Sequence, residues 1–307
     1  MNKQEYIKCP ICESDGIFFM NAKNTHGSHF ISDEEFNLVK CEKCGLIFIN
    51  PRPTEKEAIK YYDFNYYESK NTIKSKIEKL LLNHWPFFSK KYVINKFAKE
   101  GRILDIGCGN GNFLNSLQSD KWEIYGIEPN SAGYDLTRKK NITSSNIFNK
   151  KLLDCNFPDN YFDVITMWHV FEHVYYPKKE LQEIKRILKN DGLFILTIPN
   201  IKSIGFRISK QNWFHLDAPR HLFHYDAETI TKLLRDNIFD FDIIQIKYIY
   251  FDFPLDIYHS LLRTFDKNIN KFTKILIKIS LLFCLPLLKL IGSLFHSSET
   301  ILIVCKK

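Results

Sequence analysis

The sequence predicts an α/β protein built on an open, mostly parallel sheet with helices on both faces. Strand-like and helix-like segments alternate from residue 102 to residue 198, and this alternation is typical of parallel strands joined by helical crossovers. A turn with glycines at alternate positions, Gly107, Gly109 and Gly111, follows the first of these strands. Because such sheets bind ligands at the carboxyl ends of their strands, the turn marks the expected binding edge.

The elements of the sheet are predicted in chain order from apolar periodicity and from residues that start and stop helices. Strands are expected at residues 102–106, 123–127, 162–167, 193–198, 241–250 and 300–305. Helices are expected at residues 111–118, 131–140, 177–190 and 226–236, after a helix pair at 72–98. Pro177 at a helix start and Asp226 as an N-cap favour two of these boundaries.

Two acidic residues indicate that the glycine-rich turn belongs to a nucleotide-binding motif. Asp105 precedes the glycines, and Glu128 ends the next predicted strand, where Rossmann-like units hold the ribose hydroxyls of a nucleotide. Residues 105–111 therefore resemble the Asp-x-Gly-x-Gly-x-Gly motif of the class I S-adenosylmethionine (SAM)-dependent methyltransferases. The resemblance continues through residues 162–165, 169–174 and 188–200.

This resemblance implies a Rossmann-like, seven-stranded methyltransferase sheet and an enzyme that takes its methyl group from SAM. A dehydrogenase fits less well, because its turn more usually has the spacing Gly-x-Gly-x-x-Gly. The residues expected to bind the cofactor are Asp105, Gly107, Gly109, Gly111, Glu128, Asp154 and His169.

Two Cys-x-x-Cys pairs near the N-terminus predict a structural zinc site. One tight turn aims the two thiolates of each pair at one point, and two such turns complete the tetrahedral shell of four cysteines that zinc favours. The expected ligands are Cys9, Cys12, Cys41 and Cys44. We accordingly expect a zinc ribbon over residues 1–53, a helical linker or lid over 54–100 that starts with a short helix capped by Thr54, and the methyltransferase domain over 101–307.

Two histidine-rich segments, residues 169–174 and 212–225, are the candidate catalytic regions. Imidazole titrates near neutral pH and can remove a proton from a methyl acceptor. The expected catalytic residues are His221, the preferred general base, with His173 and His169, while Glu172 orients one of them or only braces the loop. The sequence leaves the help of a divalent metal open, because His169 stands where resembling O-methyltransferases have the first acid of a metal site.

The segment at 212–225 is also the expected substrate site, since aromatic rings combined with Asp, Arg and His are typical of sugar and phosphate binding. The expected contacts are Trp213, His215, Asp217, Arg220 and His224, with Arg220 binding an anion. The alternative is a rigid structural corner in which Pro219 sets the turn. Residues 213–222 resemble zinc-ribbon methyltransferases of bacterial surface-glycan and natural-product pathways, which implies O-methylation of a sugar, nucleotide-sugar or glycan intermediate.

Composition leaves two other functions open. The formal charge of +8 is compatible with an anionic acceptor but does not require nucleic acid. An RNA methyltransferase is one alternative, because a zinc ribbon also precedes this fold in ribosomal RNA enzymes. It lacks support from an arginine-rich face or an Asn-Pro-Pro-Tyr motif. The second alternative is a non-catalytic SAM-binding interaction protein, against which the intact glycine motif argues.

A hydrophobic helical insertion is expected at residues 252–297, before the last strand. Its longest uncharged run, 279–288, has about half of the ~20 residues that a membrane span needs. A buried cap or a homodimer surface is the preferred interpretation, and an amphipathic contact with a membrane through residues 273–295 is the alternative. The chain starts without a signal-peptide pattern, so we expect a cytoplasmic protein, in peripheral contact with the membrane under that alternative.

Overall fold

A computed structural model describes residues 3–26, 29–62, 90–118, 121–140, 142, 146–249, 256–265, 270 and 294–307, with isolated positions between 273 and 292. Most of the helix pair expected at 72–98 lies outside these residues. Its last part, 90–97, is helical. Most of the 273–295 stretch also lies outside them.

The described strands and helices follow the order that the sequence predicts. The strands are β1 Gln4–Glu5, β2 Gly16–His26, β3 His29–Cys41, β4 Ile47–Ile49, β5 Arg52–Pro53, β6 Glu100–Ile106, β7 Lys121–Ile127, β8 Ile147–Phe148, β9 Phe162–Trp168, β10 Leu188–Pro199, β11 Phe223–His224, β12 Asp242–Ile249 and β13 Thr300–Lys306. The α-helices are α1 Glu55–Ala58, α2 Asn112–Ser116, α3 Ser131–Arg138, α4 Pro177–Ile187, α5 Ile204–Ser209, α6 Ala227–Leu234 and α7 Asp256–Phe265.

A seven-stranded sheet, in the order β12-β13-β10-β9-β6-β7-β8, forms the centre of the protein. The neighbouring pairs β10–β9, β9–β6, β6–β7 and β7–β8 are parallel. Strand β13 runs antiparallel to both of its neighbours, β10 and β12. The predicted seven-stranded, mostly parallel α/β sheet is therefore confirmed. Its parallel arrangement brings the carboxyl ends of β6, β7 and β9 to one edge.

The central strands are apolar because helices cover both faces of a parallel sheet. Leu104 of β6, Ile165 of β9 and Ile195 of β10 are fully buried. The helix α4 covers one face with Leu181 and Ile184, which are also fully buried. Near-continuous hydrophobic runs in these strands follow from burial on both sides.

Several boundaries differ from the prediction. The helix expected at 177–190 ends at Ile187, because Leu188 already pairs with Phe162 of β9. The short strand β8 and the long β2–β3 hairpin were not predicted, although β8 completes the sheet edge. Thr54 does occupy the N-cap of α1, but its side chain makes no capping hydrogen bond.

The N-terminal region is joined to the rest of the chain by backbone pairing. Strands β2, β3 and β4 form a four-stranded sheet with β11, in which Phe223 pairs with Phe48. Cys9 and Leu46 pack in the same hydrophobic core as residues of the large sheet. The division of the chain at residue 53 stays a prediction, and the two parts share both a sheet and a core.

The beginning of the predicted insertion, helix α7, packs against residues 213–214. Ser260 Oγ accepts the backbone N–H of Phe214 at 2.9 Å, and Arg263 Nη1 donates to the carbonyl of Trp213 at 2.9 Å. This contact agrees with a buried cap for residues 256–265. In the described part of the chain, no helix is long and apolar enough to cross a membrane.

The N-cap of α6 gives a stability prediction. Asp226 Oδ1 accepts the backbone N–H of Thr229 at 2.8 Å, and Thr229 Oγ1 accepts that of Asp226 at 2.9 Å. Asp226→Ala removes this cap and should lower the free energy of unfolding by about 1 kcal/mol, measured by urea denaturation. Asp226→Asn keeps a capping acceptor and is the matched control. Equal losses in the two variants would contradict a role of the cap.

Candidate active site

The glycine-rich turn between β6 and α2 is confirmed as a tight, left-handed segment. Gly107, Gly109 and Gly111 have φ angles of 72°, 57° and 69°, which L-residues with side chains rarely adopt. A Cβ on Gly107 would lie 2.5 Å from Val170 Cγ2, and one on Gly111 would lie 2.7 Å from Thr137 Cγ2. The turn is thus pressed between the loop after β9 and the helix α3, and only glycine fits there.

Glu128 follows β7 and fastens this turn to the neighbouring loop. Its Oε2 accepts the backbone N–H of Gly109 at 2.8 Å, and its Oε1 accepts that of Asn130 at 2.8 Å. Binding of the nucleoside part of SAM by the glycine backbone and this acid stays a prediction.

Asp105, also predicted to bind the cofactor, lies beneath the turn. Its side chain is buried, and its Oδ1 accepts the hydroxyl hydrogen of Thr166 at 2.6 Å. Burial raises the pKa of Asp105 to about 7, partly opposed by the Thr166 hydrogen bond. The carboxyl therefore supports the base of the turn, and its direct contact with SAM stays a prediction.

Asp154 lies in a short 3-10 helix, Leu152–Asp154, and is exposed to solvent. The same stretch is tied to the Glu128 loop, because Asn149 Nδ2 donates to the carbonyl of Glu128 at 2.8 Å. It also meets helix α1, since Lys151 and Glu55 form an ion pair at 2.6 Å. Cofactor binding by Asp154 stays a prediction.

The two histidine-rich segments converge at the carboxyl end of β9. His169 Nδ1 lies 3.4 Å from Glu172 Oε1, and His221 Nε2 lies 3.9 Å from the same oxygen. The rings of His173 and His221 meet edge to face, with centroids 4.6 Å apart. We call these four residues the histidine cluster. Val170, inside the first segment, touches Gly107, so the cluster adjoins the predicted cofactor turn.

Backbone carbonyls fix the orientation of two histidines in the cluster. His173 Nδ1 lies 3.0 Å from the carbonyl oxygen of Arg220, and His221 Nδ1 lies 2.8 Å from that of His215. A carbonyl only accepts hydrogen bonds, so each Nδ1 carries the proton and each Nε2 has a lone pair when the ring is neutral. Burial, with the nearby charge of His173, lowers the pKa of His221 well below its ordinary value.

The predicted substrate residues of the second segment are directed into the protein. Trp213 is fully buried, and its indole N–H donates to Glu299 Oε2 at 2.7 Å. The Arg220 guanidinium pairs with Asp217 and donates to the carbonyls of Tyr61 and Thr25. These contacts fit the alternative of a rigid structural corner. Substrate binding by Trp213, Asp217 and Arg220 stays a prediction that would require their present contacts to open.

The two other predicted substrate residues, His215 and His224, are buried as well. His215 Nε2 lies 2.8 Å from Asp256 Oδ2 of helix α7. Burial lowers the pKa of each histidine to about 4, so both rings are neutral at pH 7. Their roles as substrate contacts stay predictions.

Three residues of this region were not predicted from the sequence. Asp256 and Glu299 lie far along the chain and bind His215 and Trp213, respectively. Tyr62 places its hydroxyl 3.2 Å from His173 Nδ1. No local spacing identifies any of them, since their partners are brought near only by the fold.

The four predicted zinc ligands meet at one point. The Sγ atoms of Cys9 and Cys44 are 3.4 Å apart, as are those of Cys12 and Cys41, and all four lie within 4.8 Å of one another. Thiolates around a zinc ion at 2.3 Å stand about 3.8 Å apart in a tetrahedron. The arrangement therefore fits a closed zinc site with four cysteine ligands.

Comparison with known proteins identifies the class. The sequence model of a family described as "Methyltransferase domain" matches residues 75–246, which is more than half of the chain. The protein belongs to this family, and with the SAM-type turn in place it is a SAM-dependent methyltransferase.

Three of the proteins that match this chain share little more than a quarter of the aligned residues with it. An uncharacterized protein of Methanocaldococcus jannaschii is 28% identical over 207 residues, covering 62% of this chain and 76% of that protein. A demethylmenaquinone methyltransferase of Symbiobacterium thermophilum is 27% identical over 158 residues, covering 47% of this chain and 61% of that enzyme. An uncharacterized methyltransferase of Schizosaccharomyces pombe is 28% identical over 113 residues, 33% of this chain, and only 41% of its length is covered.

Solved structures share the fold. A SAM-dependent methyltransferase of Archaeoglobus fulgidus matches with a TM-score of 0.51 and 18% identity, covering 77% of this chain and 100% of that one. Geranyl diphosphate C-methyltransferase of Streptomyces coelicolor matches with a TM-score of 0.51 and 12% identity, covering 78% and 85%. At these identities the likeness establishes the fold alone.

The contacts of Glu128 predict the effect of a single substitution on cofactor affinity. Each carboxylate oxygen of Glu128 accepts one backbone N–H. Glu128→Gln replaces one of these oxygens by an amide NH2, which cannot accept a hydrogen bond, and it removes the negative charge. We expect the Kd for SAM, measured by calorimetry, to rise by about 10-fold or more. Glu123→Gln changes an acid of β7 that pairs with the half-buried Arg102, and it should leave the Kd unchanged. An unaltered Kd in Glu128→Gln would contradict the ribose contact.

Proposed function

We propose that this enzyme methylates an oxygen of a sugar, a nucleotide-sugar or a glycan intermediate. The observation that carries the proposal is the histidine cluster beside the glycine-rich turn. A hydroxyl is a weak nucleophile until its proton is removed, and neutral imidazole is the side chain best suited to that step near pH 7. A neutral amine already has a free lone pair, so methyl transfer to nitrogen gives less reason for several histidines around one carboxylate.

The proposed chemistry divides between the cofactor and the chain. Bound SAM supplies a methyl group on a sulfonium sulfur, and this group passes to the acceptor oxygen while the C–S electron pair stays on sulfur. A histidine of the cluster takes the hydroxyl proton: His169, His173 or His221. Glu172 stabilises the imidazolium that forms, because its buried carboxylate lies within 3.4–3.9 Å of two of the rings.

His169 has a particular position in this scheme. It directly follows β9, its side chain is 12% exposed, and its φ of 55° is unusual for a residue with a side chain. Strained backbone of this kind is concentrated at functional sites. In this conformation His169 Nδ1 lies 3.4 Å from Glu172 Oε1.

The acceptor class rests on the segment at 213–222. Its likeness to glycan-pathway methyltransferases supports a sugar-type acceptor, and the charge of +8 favours one that carries phosphate. Because Trp213 and Arg220 face inward, we propose that the segment mainly supports the cluster. Nucleic acid as the acceptor, and a non-catalytic role, are outcomes that the experiment below separates.

Zinc at the four cysteines and the exposed apolar residues near the C-terminus complete the proposal. The zinc ion would hold the two Cys-x-x-Cys turns together and so position the β2–β3 hairpin against β4. Leu287, Leu294 and Phe295 are more than half exposed, which supports peripheral contact with a membrane or with a second copy through residues 273–295 of a protein that we propose to be cytoplasmic.

The substrate proposal is tested by transfer of radiolabelled methyl groups from SAM to a fractionated cell extract. We expect label in nucleotide-sugars or lipid-linked glycans, and a loss of about 10²–10⁴-fold in rate for His169→Ala or His221→Ala if either is the base. His296→Ala, at an exposed position, is the control. Label in RNA would overturn the acceptor class, and SAM binding without any labelled product would favour the non-catalytic alternative.

The zinc proposal predicts a specific change in metal content. Cys12→Ser should lower the bound zinc by one equivalent per chain and lower the Tm, because a structural zinc site contributes directly to folding. Cys155→Ser changes a buried cysteine outside the site and should keep the zinc. Elemental analysis and a thermal melt measure both effects, and an unchanged zinc content in Cys12→Ser would argue against this site.

A further inference from the structure

We infer that Glu172, His173 and His221 form a binding site for a divalent transition-metal ion, separate from the four-cysteine site. The inference rests on the proposed function for its chemical role, since it concerns the same cluster. It does not use His169, the position where the resembling O-methyltransferases have the first acid of their metal site. The evidence is the placement of the donor atoms, their orientation and an unsatisfied buried carboxylate.

The donor atoms are already close together. One ligand atom from each of Glu172, His173 and His221 lies within 4.8 Å of the others. Donors bound to a common ion at about 2.1 Å stand about 3.4 Å apart in a tetrahedron. Small side-chain rotations would therefore bring the three atoms onto one ion without moving the backbone.

The histidines are oriented as metal ligands are. In most metal sites the second ring nitrogen of a ligating histidine donates to a backbone carbonyl or carboxylate. His173 and His221 both do this, through the carbonyls of Arg220 and His215 at 3.0 and 2.8 Å. Each ring is thereby fixed in the form whose Nε2 lone pair is available.

The burial of the Glu172 carboxylate favours an ion at this place. Its side chain is 1% exposed, and within the described part of the chain neither carboxylate oxygen has a hydrogen-bond partner. A buried unpaired carboxylate is costly, and buried charges are paired or bind metal. His169 Nδ1, 3.4 Å from Glu172 Oε1, is too distant for a good hydrogen bond, so a metal ion would give this carboxylate a direct ligand contact.

The donor set selects the kind of ion. Two imidazoles and one carboxylate suit zinc, iron, cobalt, nickel or manganese, whereas magnesium and calcium prefer oxygen ligands. Three protein ligands leave positions open on the ion, as in catalytic sites. The acceptor hydroxyl would bind there and lose its proton more easily, and His169 would remain as the proton acceptor.

Cobalt(II) is the probe for this site. Zinc-loaded protein, freed of loosely bound metal, is titrated with cobalt(II) without SAM or acceptor. We expect one further equivalent to bind, with d–d absorption bands but without the thiolate charge-transfer band of a cysteine site. Glu172→Gln and His221→Asn should each weaken this binding at least 10-fold, while His296→Asn, at an exposed histidine, should match the wild type.

Two results would overturn the inference. One is the absence of any further cobalt uptake by the wild-type protein. The other is equal uptake by the wild type and by Glu172→Gln whose fold is verified by circular dichroism. Because the titration uses neither SAM nor an acceptor, its outcome is independent of the substrate proposed above. A failed methyl-transfer assay together with specific cobalt binding would reject the proposed function and keep the metal site.

Discussion

The buried guanidinium of Arg220 holds three parts of the chain around the candidate active site. It pairs with Asp217, and it donates to the carbonyls of Thr25 in β2 and Tyr61 after α1. The carbonyl of Arg220 in turn orients His173. Removing one partner of a buried ion pair of this kind is strongly destabilising, typically by about 3–5 kcal/mol. The hairpin, the linker and the histidine cluster therefore depend on one side chain.

Backbone hydrogen bonds extend this constraint. Leu222 N donates to the carbonyl of Glu172 at 2.9 Å, and Leu222 O accepts from Ile49 N at 3.0 Å. The segment at 213–224 thus binds the loop after β9 on one side and the N-terminal sheet on the other. The proposed zinc site lies at the other end of the same sheet, where Cys41 ends β3. The backbone of this sheet therefore connects the four cysteines with the histidine cluster.

The fold could be predicted largely from local patterns. The glycine turn, Asp226 as a helix cap, and the alternating strands and helices depend on residue type and spacing, which act over a few residues. The end of α4 was misplaced because Leu188 pairs with Phe162, a contact that lies outside any local window. The four cysteines were predicted as one site from spacing, and the structure brings their sulfurs together.

The sequence by itself determined the chemistry available: a SAM-type turn, a set of histidines, and a set of cysteines. The tertiary structure decided which of these groups face one another. It directed Trp213 and Arg220 inward, where Glu299 and Asp217 satisfy them, and it placed Glu172 between His169 and His221. The physical reason is burial, since a polar side chain removed from water must find its partner wherever the fold supplies one.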